Sequence, residues 1–384
     1  MRSRRHRILI VTDNLPDQIN GVVTTYRSLE QEGRRHGYEV VYLHPDQLFH
    51  IGAPSYPAIR LAVPLGIGRR IEDADPDFVH IATEGVLGIS AKLYCDYCGI
   101  TYTTAFHTRW PEALHQQAGV PKQWGWAGMR WFHNHSGRVF VATNSLHQLL
   151  REQGINTRIE RLTRGVDRSV FRPDQKKRTP SQNGGYTLLY VGRVSREKEI
   201  ERFLDLFPNA PKVRKQVVGG GPHLSALREK YPNVHFAGEQ SGKGLAEYYQ
   251  KADVMVFPSC WDTFGIVMVE SMACGTPVAG RRCAGPLDVI DEGITGYTDD
   301  DLSVAVERCL GLNRQKVFEA SLRWSWVQSW KQFQGSLVRV RVHRRTTTRF
   351  WTLVLSLVIL YLLCWRRPVV FVILSALVFL LKYF

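Results

Sequence analysis

The sequence predicts an α/β protein made of two parallel-sheet domains in series, and three observations carry that expectation. Short β-rich apolar runs alternate with helical patterns along most of the chain. A polar stretch rich in Pro and Gly at 174–185 interrupts the alternation, which then restarts. The length, 384 residues, suffices for two domains of ordinary size. Strands and helices that alternate this way build a parallel sheet covered on both faces.

The chain opens on MRSRRHR, which looks like the start of a secretory leader. The apolar run that follows, ILIV, meets Thr12 and Asp13 too soon for one, so it reads as a first buried strand at 7–12. Nothing here directs the chain out of the cytoplasm. Further strands are expected at 39–43, 78–81, 101–105 and 138–142, with helices at 22–36, 87–98 and 144–152 between them. The motif TRGVDRSVFRP at 163–173 breaks the pattern ahead of the linker. Strands follow at 186–191, 215–218, 234–236, 254–257 and 276–279, and helices at about 199–206, 224–230, 244–251 and 265–274. A last helix at 315–332 carries Trp324, Trp326 and Trp330 and suits packing across a domain junction. The expected units are residues 1–173, a linker at 174–185, residues 186–314, a crossing helix at 315–334 and a tail at 335–384.

Composition narrows the class. Apolar content of 44% and charged content of 22% are those of a globular protein. The net charge of +15 is concentrated toward the end: residues 334–384 hold eight basic residues and no acid. That leaves 42 basic against 35 acidic residues elsewhere, which does not describe a nucleic-acid surface. Within the tail, 350–365 and 369–381 are uncharged and mostly apolar, split by Arg366-Arg367-Pro368. Sixteen helical residues rise about 24 Å, short of a roughly 30 Å hydrocarbon core. A shallow hairpin or an interfacial helix pair therefore fits better than two spans, with the basic run before it at an anionic leaflet. A buried helix pair is the alternative. Seven cysteines form no framework; the one close pair, Cys95 and Cys98, ends a helical pattern without a second pair and reads as ordinary thiols. This suits a reducing compartment.

Candidate site residues cluster where strands end. Arg193 and Lys198 follow the strand at 186–191, where parallel sheets bind ligands, and could hold a diphosphate. A solvated charge cluster is the plainer reading. Asp262 follows the strand at 254–257, and Glu270 lies eight residues on, in an otherwise apolar helix. A carboxylate there needs a partner, either a sugar diol or a core arginine. Phe264 and Gly265 open that helix and offer free backbone N–H groups. Gly21, between the first strand and helix, allows close approach of a phosphate or simply makes a turn. His107 lies past the fourth strand, catalytic or structural. Gly219-Gly220-Gly221 lacks the third glycine of a dinucleotide fingerprint, because Leu224 stands there. His133 and His135 do not share a helix face, and no metal site is indicated.

Six motifs in order then resemble the retaining GT-B glycosyltransferases of family 4 over residues 7–334: NGVV at 20–23, FHTRWPE at 106–112, RGVDRSVFRP at 164–173, YVGRVSREK at 190–198, VGGGP at 218–222 and DTFGIVMVESMACGTPV at 262–278. The resemblance implies two Rossmann-like domains facing across a cleft, the first binding acceptor and the second a nucleotide sugar. It implies that Gly21, Arg193 and Lys198 meet the donor diphosphate and that Glu270 holds the ribose. Asp262, Phe264 and Gly265 would contact the transferred sugar. His107 would support the oxocarbenium-like transition state through its ring or its carbonyl. The family pairs two glutamates where this chain has Asp262 and Glu270, and VGGGP replaces the commoner VGDGP, so altered sugar contacts are expected. The branch it resembles holds glycolipid synthases and GDP-mannose-dependent mannosyltransferases. The expectation is a glycosyltransferase with no cofactor, using a UDP-linked donor and a lipid acceptor such as diacylglycerol. It would be anchored by its tail on the cytoplasmic face of a membrane with anionic lipids. Alternatives are a GDP-mannose donor with a lipid or polysaccharide acceptor, or a catalytically silent nucleotide-sugar-binding membrane protein.

Overall fold

Ile8 and Ile10 of β1 (His6–Val11) face one core, with Tyr26, Leu29 and Trp330, while Leu9 and Val11 face another, with Ile67, Leu87 and Tyr94. Successive side chains of a strand point to opposite faces, so a run that is apolar throughout demands cover on both. The computed structural model describes residues 5–18, 20–53, 56–62, 65–174, 185–208 and 210–340. After β1 come α1 (Gly21–Arg35), β2 (Tyr38–Leu43), the antiparallel pair β3 (His50–Ala53) and β4 (Tyr56–Ala62), and α2 (Ile67–Asp73). Then follow β5 (Phe78–Ile81), α3 (Val86–Cys98), β6 (Thr103–Ala105), α4 (Trp110–Ala118) and α5 (Lys122–His133). β7 (Arg138–Val141), α6 (Asn144–Glu152) and β8 (Ile159–Arg161) complete a six-stranded parallel sheet of order β2-β1-β5-β6-β7-β8.

The second sheet starts at β9 (Tyr186–Val191). Leu188 and Tyr190 face one core and Leu189 and Val191 the other. Its further elements are α7 (Ile200–Leu204), β10 (Val213–Val218), α8 (Leu224–Lys230), β11 (His235–Gly238), α9 (Gly242–Lys251), β12 (Val254–Phe257) and α10 (Ile266–Ala273). β13 (Val278–Gly280), α11 (Pro286–Val289), β14 (Gly296–Thr298) and α12 (Leu302–Leu310) follow. The sheet is again parallel, of order β11-β10-β9-β12-β13-β14. The chain therefore holds two Rossmann-like α/β domains.

The helix expected at 315–334 is two. α13 (Arg314–Ser321) stops before Trp324, and α14 (Trp326–Ser336) begins afresh with the Ser325 hydroxyl accepting from the Gln328 N–H. A serine with extended backbone offers a new N-cap, so two short capped helices replace one long one. The break divides the tryptophans: Trp324 packs edge-on against Phe264 of the second domain, and Trp330 is buried against Gly33 and Tyr38 of the first. Residues 175–184 of the expected linker and the tail beyond 340 lie outside the described residues. Among the described residues no helix is long and apolar enough to cross a membrane.

Candidate functional site

In the second sheet β9 lies between β10 and β12, so the connections leave it in opposite directions and open a crevice at its carboxyl end. Both loops singled out from the sequence border that crevice. After β9 the chain passes Arg193, which is exposed, and a 3-10 turn at Arg196–Lys198. After β12 it passes Cys260, Trp261 and Asp262 before α10. Lys198 Nζ donates to Asp262 Oδ1 at 2.6 Å, joining the two loops, and both side chains are about one quarter exposed. A partly exposed pair of this kind contributes about 1 kcal/mol or less, so it can be exchanged for a better partner.

The three glycines at 219–221 have a structural role. A Cβ on Gly219 would lie 1.9 Å from the carbonyl oxygen of Gly192, and one on Gly221 would lie 2.3 Å from that of Val194. The 219–221 loop thus packs backbone to backbone beneath the Arg193 loop. Gly265 has φ +80° and a Cβ there would strike Phe257 and Met268. Only glycine sits easily in that conformation, and it turns the chain from Asp262 into α10. Phe264 is buried.

Glu270 is half-buried on α10, and Tyr249 donates its hydroxyl to Oε2 at 3.0 Å. Tyr249 is its only hydrogen-bond donor among the described residues, and no arginine pairs with it. Burial outweighs the tyrosine's opposing effect and lifts the carboxyl to about 7. A carboxylate held this way can accept further hydroxyl protons at modest cost.

Across the cleft, Gly21 opens α1 behind the Asn20 cap, whose side chain accepts from the Val22 and Val23 N–H groups. A Cβ at Gly21 would meet nothing, and its φ lies outside the left-handed region, so neither packing nor conformation demands glycine here. His107 follows β6, and both ring nitrogens are engaged: Nε2 with the Tyr26 hydroxyl at 2.8 Å and Nδ1 with the Arg164 guanidinium at 3.0 Å. A guanidinium only donates, so Nδ1 accepts and a neutral ring carries its proton on Nε2. Tyr26 in turn donates to His80 Nε2 at 2.7 Å, and His80 Nδ1 to Thr103 Oγ1 at 2.9 Å. Burial first, then the Arg164 charge, depresses His107 well below the usual histidine range, and burial takes His80 down to about 3. The ring is neutral and anchored; its backbone carbonyl accepts from Thr263 Oγ1 at 3.1 Å, next to Asp262.

The structure therefore joins Lys198 to Asp262, with Arg193 on the loop of the first and Gly265 and Glu270 following the second into α10, and His107 meets Asp262's neighbour Thr263; Phe264 instead packs into the core of the second domain. Tyr26, His80, Arg164 and Tyr249 escaped the sequence reading: each lies on an apolar helix face, in a strand or within a motif without a local signal. The thiol reading of Cys95 and Cys98 holds, both being free and buried, but the expectation that the cysteines form no framework does not: Cys260 and Cys283 form a disulfide across the loops after β12 and β13. Among the described residues no cluster of His, Cys, Asp or Glu could hold a metal ion.

Residues 19–170 match the family described as Glycosyltransferase Family 4, and residues 171–304 that described as Glycosyl transferases group 1. The chain is 30% identical over 316 residues to a GDP-mannose-dependent alpha-mannosyltransferase of Mycobacterium tuberculosis, covering 76% of this chain and 82% of the relative. It is 26% identical over 345 residues to an alpha-monoglucosyldiacylglycerol synthase of Streptococcus pneumoniae, covering 79% and 78%. Among solved structures, sucrose-phosphate synthase from Thermosynechococcus elongatus superposes with a TM-score of 0.68 at 18% identity, over 86% of this chain and 98% of that one.

Proposed function

The chain belongs to the group 1 and family 4 glycosyltransferases, and from that premise we propose that it transfers a sugar, with retention, from a nucleotide donor to a membrane lipid. The observation that carries this reading is the Lys198–Asp262 pair at the crevice of the second sheet, with Glu270 on the helix that follows. An arriving diphosphate offers Lys198 two negative charges in place of one carboxylate. Lys198 turns to it, joined by Arg193, and both neutralise the charge that grows on the leaving group. Asp262 is then released to accept from sugar hydroxyls, and Glu270 accepts from the ribose diol. Gly21 leaves room for the diphosphate from the first domain.

His107 contributes through its carbonyl. Its ring would have to surrender the Arg164 contact to take a proton, whereas its carbonyl oxygen, which accepts from Thr263 next in sequence to Asp262, keeps a second lone pair for positive charge. The M. tuberculosis relative, named for GDP-mannose, favours that donor over the UDP-linked sugar first expected. The diacylglycerol synthase supports a lipid acceptor, and the basic, apolar composition of residues 335–384 supports work at a membrane surface.

The test is transfer in mixed lipid micelles with radiolabelled GDP-mannose, UDP-glucose and UDP-glucuronate, with and without diacylglycerol. Product with a retained anomeric configuration is expected from at least one donor. Absence of both transfer and donor hydrolysis for every combination would sink the enzyme reading.

A further inference from the structure

Two of the described cysteines stand apart from the rest. Cys95, Cys98, Cys274 and Cys309 are free and buried. Burial raises the thiols of Cys95 and Cys98 and pushes those of Cys274 and Cys309 up to about 12, so these four stay protonated and inert. Cys260 and Cys283, joined to each other, are both partly exposed. Among the described residues, thiol chemistry with a reagent in solution is therefore confined to this pair. An exposed disulfide is of the labile kind, open to attack by an external thiol.

The bond lies where movement would matter. Cys260 precedes Trp261, Asp262 and Thr263 in the loop after β12, and Cys283 leads through Gly285 into α11. The two segments are closely packed: a Cβ on Gly285 would lie 3.0 Å from the Asp262 carbonyl oxygen. The same segments reach across the cleft to the first domain. The Cys260 carbonyl accepts from the Arg109 guanidinium at 3.4 Å, and Thr263 Oγ1 donates to the His107 carbonyl at 3.1 Å. Asp288 Oδ1, on α11, accepts from the Ser145 N–H at 3.0 Å. The disulfide thus makes one block of three points of contact with the first domain, and Asp262 lies inside that block.

We propose that the Cys260–Cys283 pair is a redox control on donor binding: the disulfide form holds the sugar-side loop ready for the donor, and the dithiol form releases it. The proposal rests on the glycosyl-transfer reading above and adds regulation of the same site. Ordering a loop on binding costs conformational entropy, and a crosslink already in place removes part of that cost, so the disulfide form binds the donor more tightly. Lys198 and Glu270 lie outside the linked segments, so the effect falls on the transferred sugar rather than on the nucleotide. The oxidant is a low-molecular-weight disulfide. One protein thiolate attacks it, forms a mixed disulfide and expels the first small thiolate; the second protein thiolate attacks the protein sulfur of that mixed bond and expels the other. The protein gives up two electrons and two protons, and the small disulfide becomes two thiols. Excess small thiol runs the same steps in reverse.

The experiment uses the full-length protein in detergent with Cys364→Ser, which removes the cysteine outside the described residues, equilibrated over a series of reduced-to-oxidised glutathione ratios. Alkylation and peptide mapping read the state of the pair. Calorimetry reads the binding of GDP-mannose, UDP-glucose, GDP and UDP, and hydrogen exchange reads residues 259–263, 107–109 and 144–146. The pair is expected to pass between dithiol and disulfide within the series. Reduction should weaken at least one nucleotide sugar by about fivefold or more, leave the bare nucleotides within about twofold, and speed exchange in all three segments. Cys260→Ser and Cys283→Ser should each keep the affinity of the reduced protein at every ratio, and their intact binding of GDP or UDP shows that they are folded. Equal nucleotide-sugar affinity in the mapped dithiol and disulfide forms, tighter binding by the dithiol, a response that persists in both serine variants, or a pair that never oxidises would overturn the proposal. Redox-sensitive exchange in a protein that binds no nucleotide in either form would instead overturn the donor-site reading and leave the control of the loops standing.

Discussion

Burial lifts the carboxyl of Glu270 to about 7, so near neutrality the empty site holds it about half protonated. A ribose diol donates hydrogen bonds and therefore binds the ionised form, pulling the carboxyl back down. Nucleotide binding must then release a proton below neutrality, and affinity must rise with pH until the free group is fully ionised. The expected outcome is a nucleotide-sugar affinity that climbs close to tenfold per pH unit between about pH 5.5 and 6.5 and levels off above about 7.5. Calorimetry in two buffers of different ionisation enthalpy would count the proton. Glu270→Gln should weaken binding and flatten the profile. A flat wild-type profile would remove Glu270 from the ribose. The sign for stability is opposite: a folded value raised from 4.5 makes the carboxyl's contribution full below about 4.5 and lost as pH rises through about 7. Bound nucleotide compensates that loss.

The loop that carries Trp261 and Asp262 is held from outside by the Cys260–Cys283 bond, which closes a chain segment with a sequence separation of 23 residues. A crosslink of that span stabilises by about 3 kcal/mol, chiefly by restricting the unfolded chain. Cys283→Ser is therefore expected to lower stability by about 2–3 kcal/mol in oxidising buffer and to match the reduced wild type in dithiothreitol. Peptide mapping that recovers all cysteines as free thiols from the oxidised protein would refute the bond. Nothing in the sequence announced it, because two cysteines so far apart carry no periodicity. The strands of both sheets were legible for the opposite reason: ILIV and TLLYV are apolar throughout, and only a strand covered on both faces explains that. β8 (IER) and β14 (GYT) are only partly buried and lack the wholly buried run of β6 and β13, which are equally short, and β3 and β4 form a hairpin aside from both sheets. The break at Ser325 was missed because helical periodicity continues through it, and a serine is an N-cap only where the backbone is extended. At the site, charged residues at strand ends stood out, whereas Tyr249 and Arg164 are defined only by what they touch.

The two domains are joined a second time by the chain's return through residues 322–325, after which α14 lies on the first domain. Trp330 is fully buried there, against Gly33, Tyr38, His36 and Phe333, although it belongs to a segment that follows the whole second domain. Arg339 bridges to Phe78, and the Val340 N–H donates to the Asp77 carbonyl at 2.8 Å. The first sheet is thus complete in strands by Arg161 but incomplete in packing until residue 340. A protein truncated after 340 keeps these contacts, and its midpoint in thermal unfolding should stay within about 2 °C of full length. One truncated after 322 keeps every strand and loses α14, so the face formed by Tyr26, Leu29 and Phe140 is uncovered and the first domain should not fold cooperatively. Trp330→Ala probes the same contact within the intact chain and is expected to cost about 3–5 kcal/mol. Trp330→Phe should cost less, since it keeps an aromatic ring in place and removes an indole N–H that has no partner among the described residues. Urea unfolding followed separately in each domain would show the loss in the first. Equal losses for both substitutions, or a cooperative fold in the protein ending at 322, would mean that the first domain is completed without its borrowed helix.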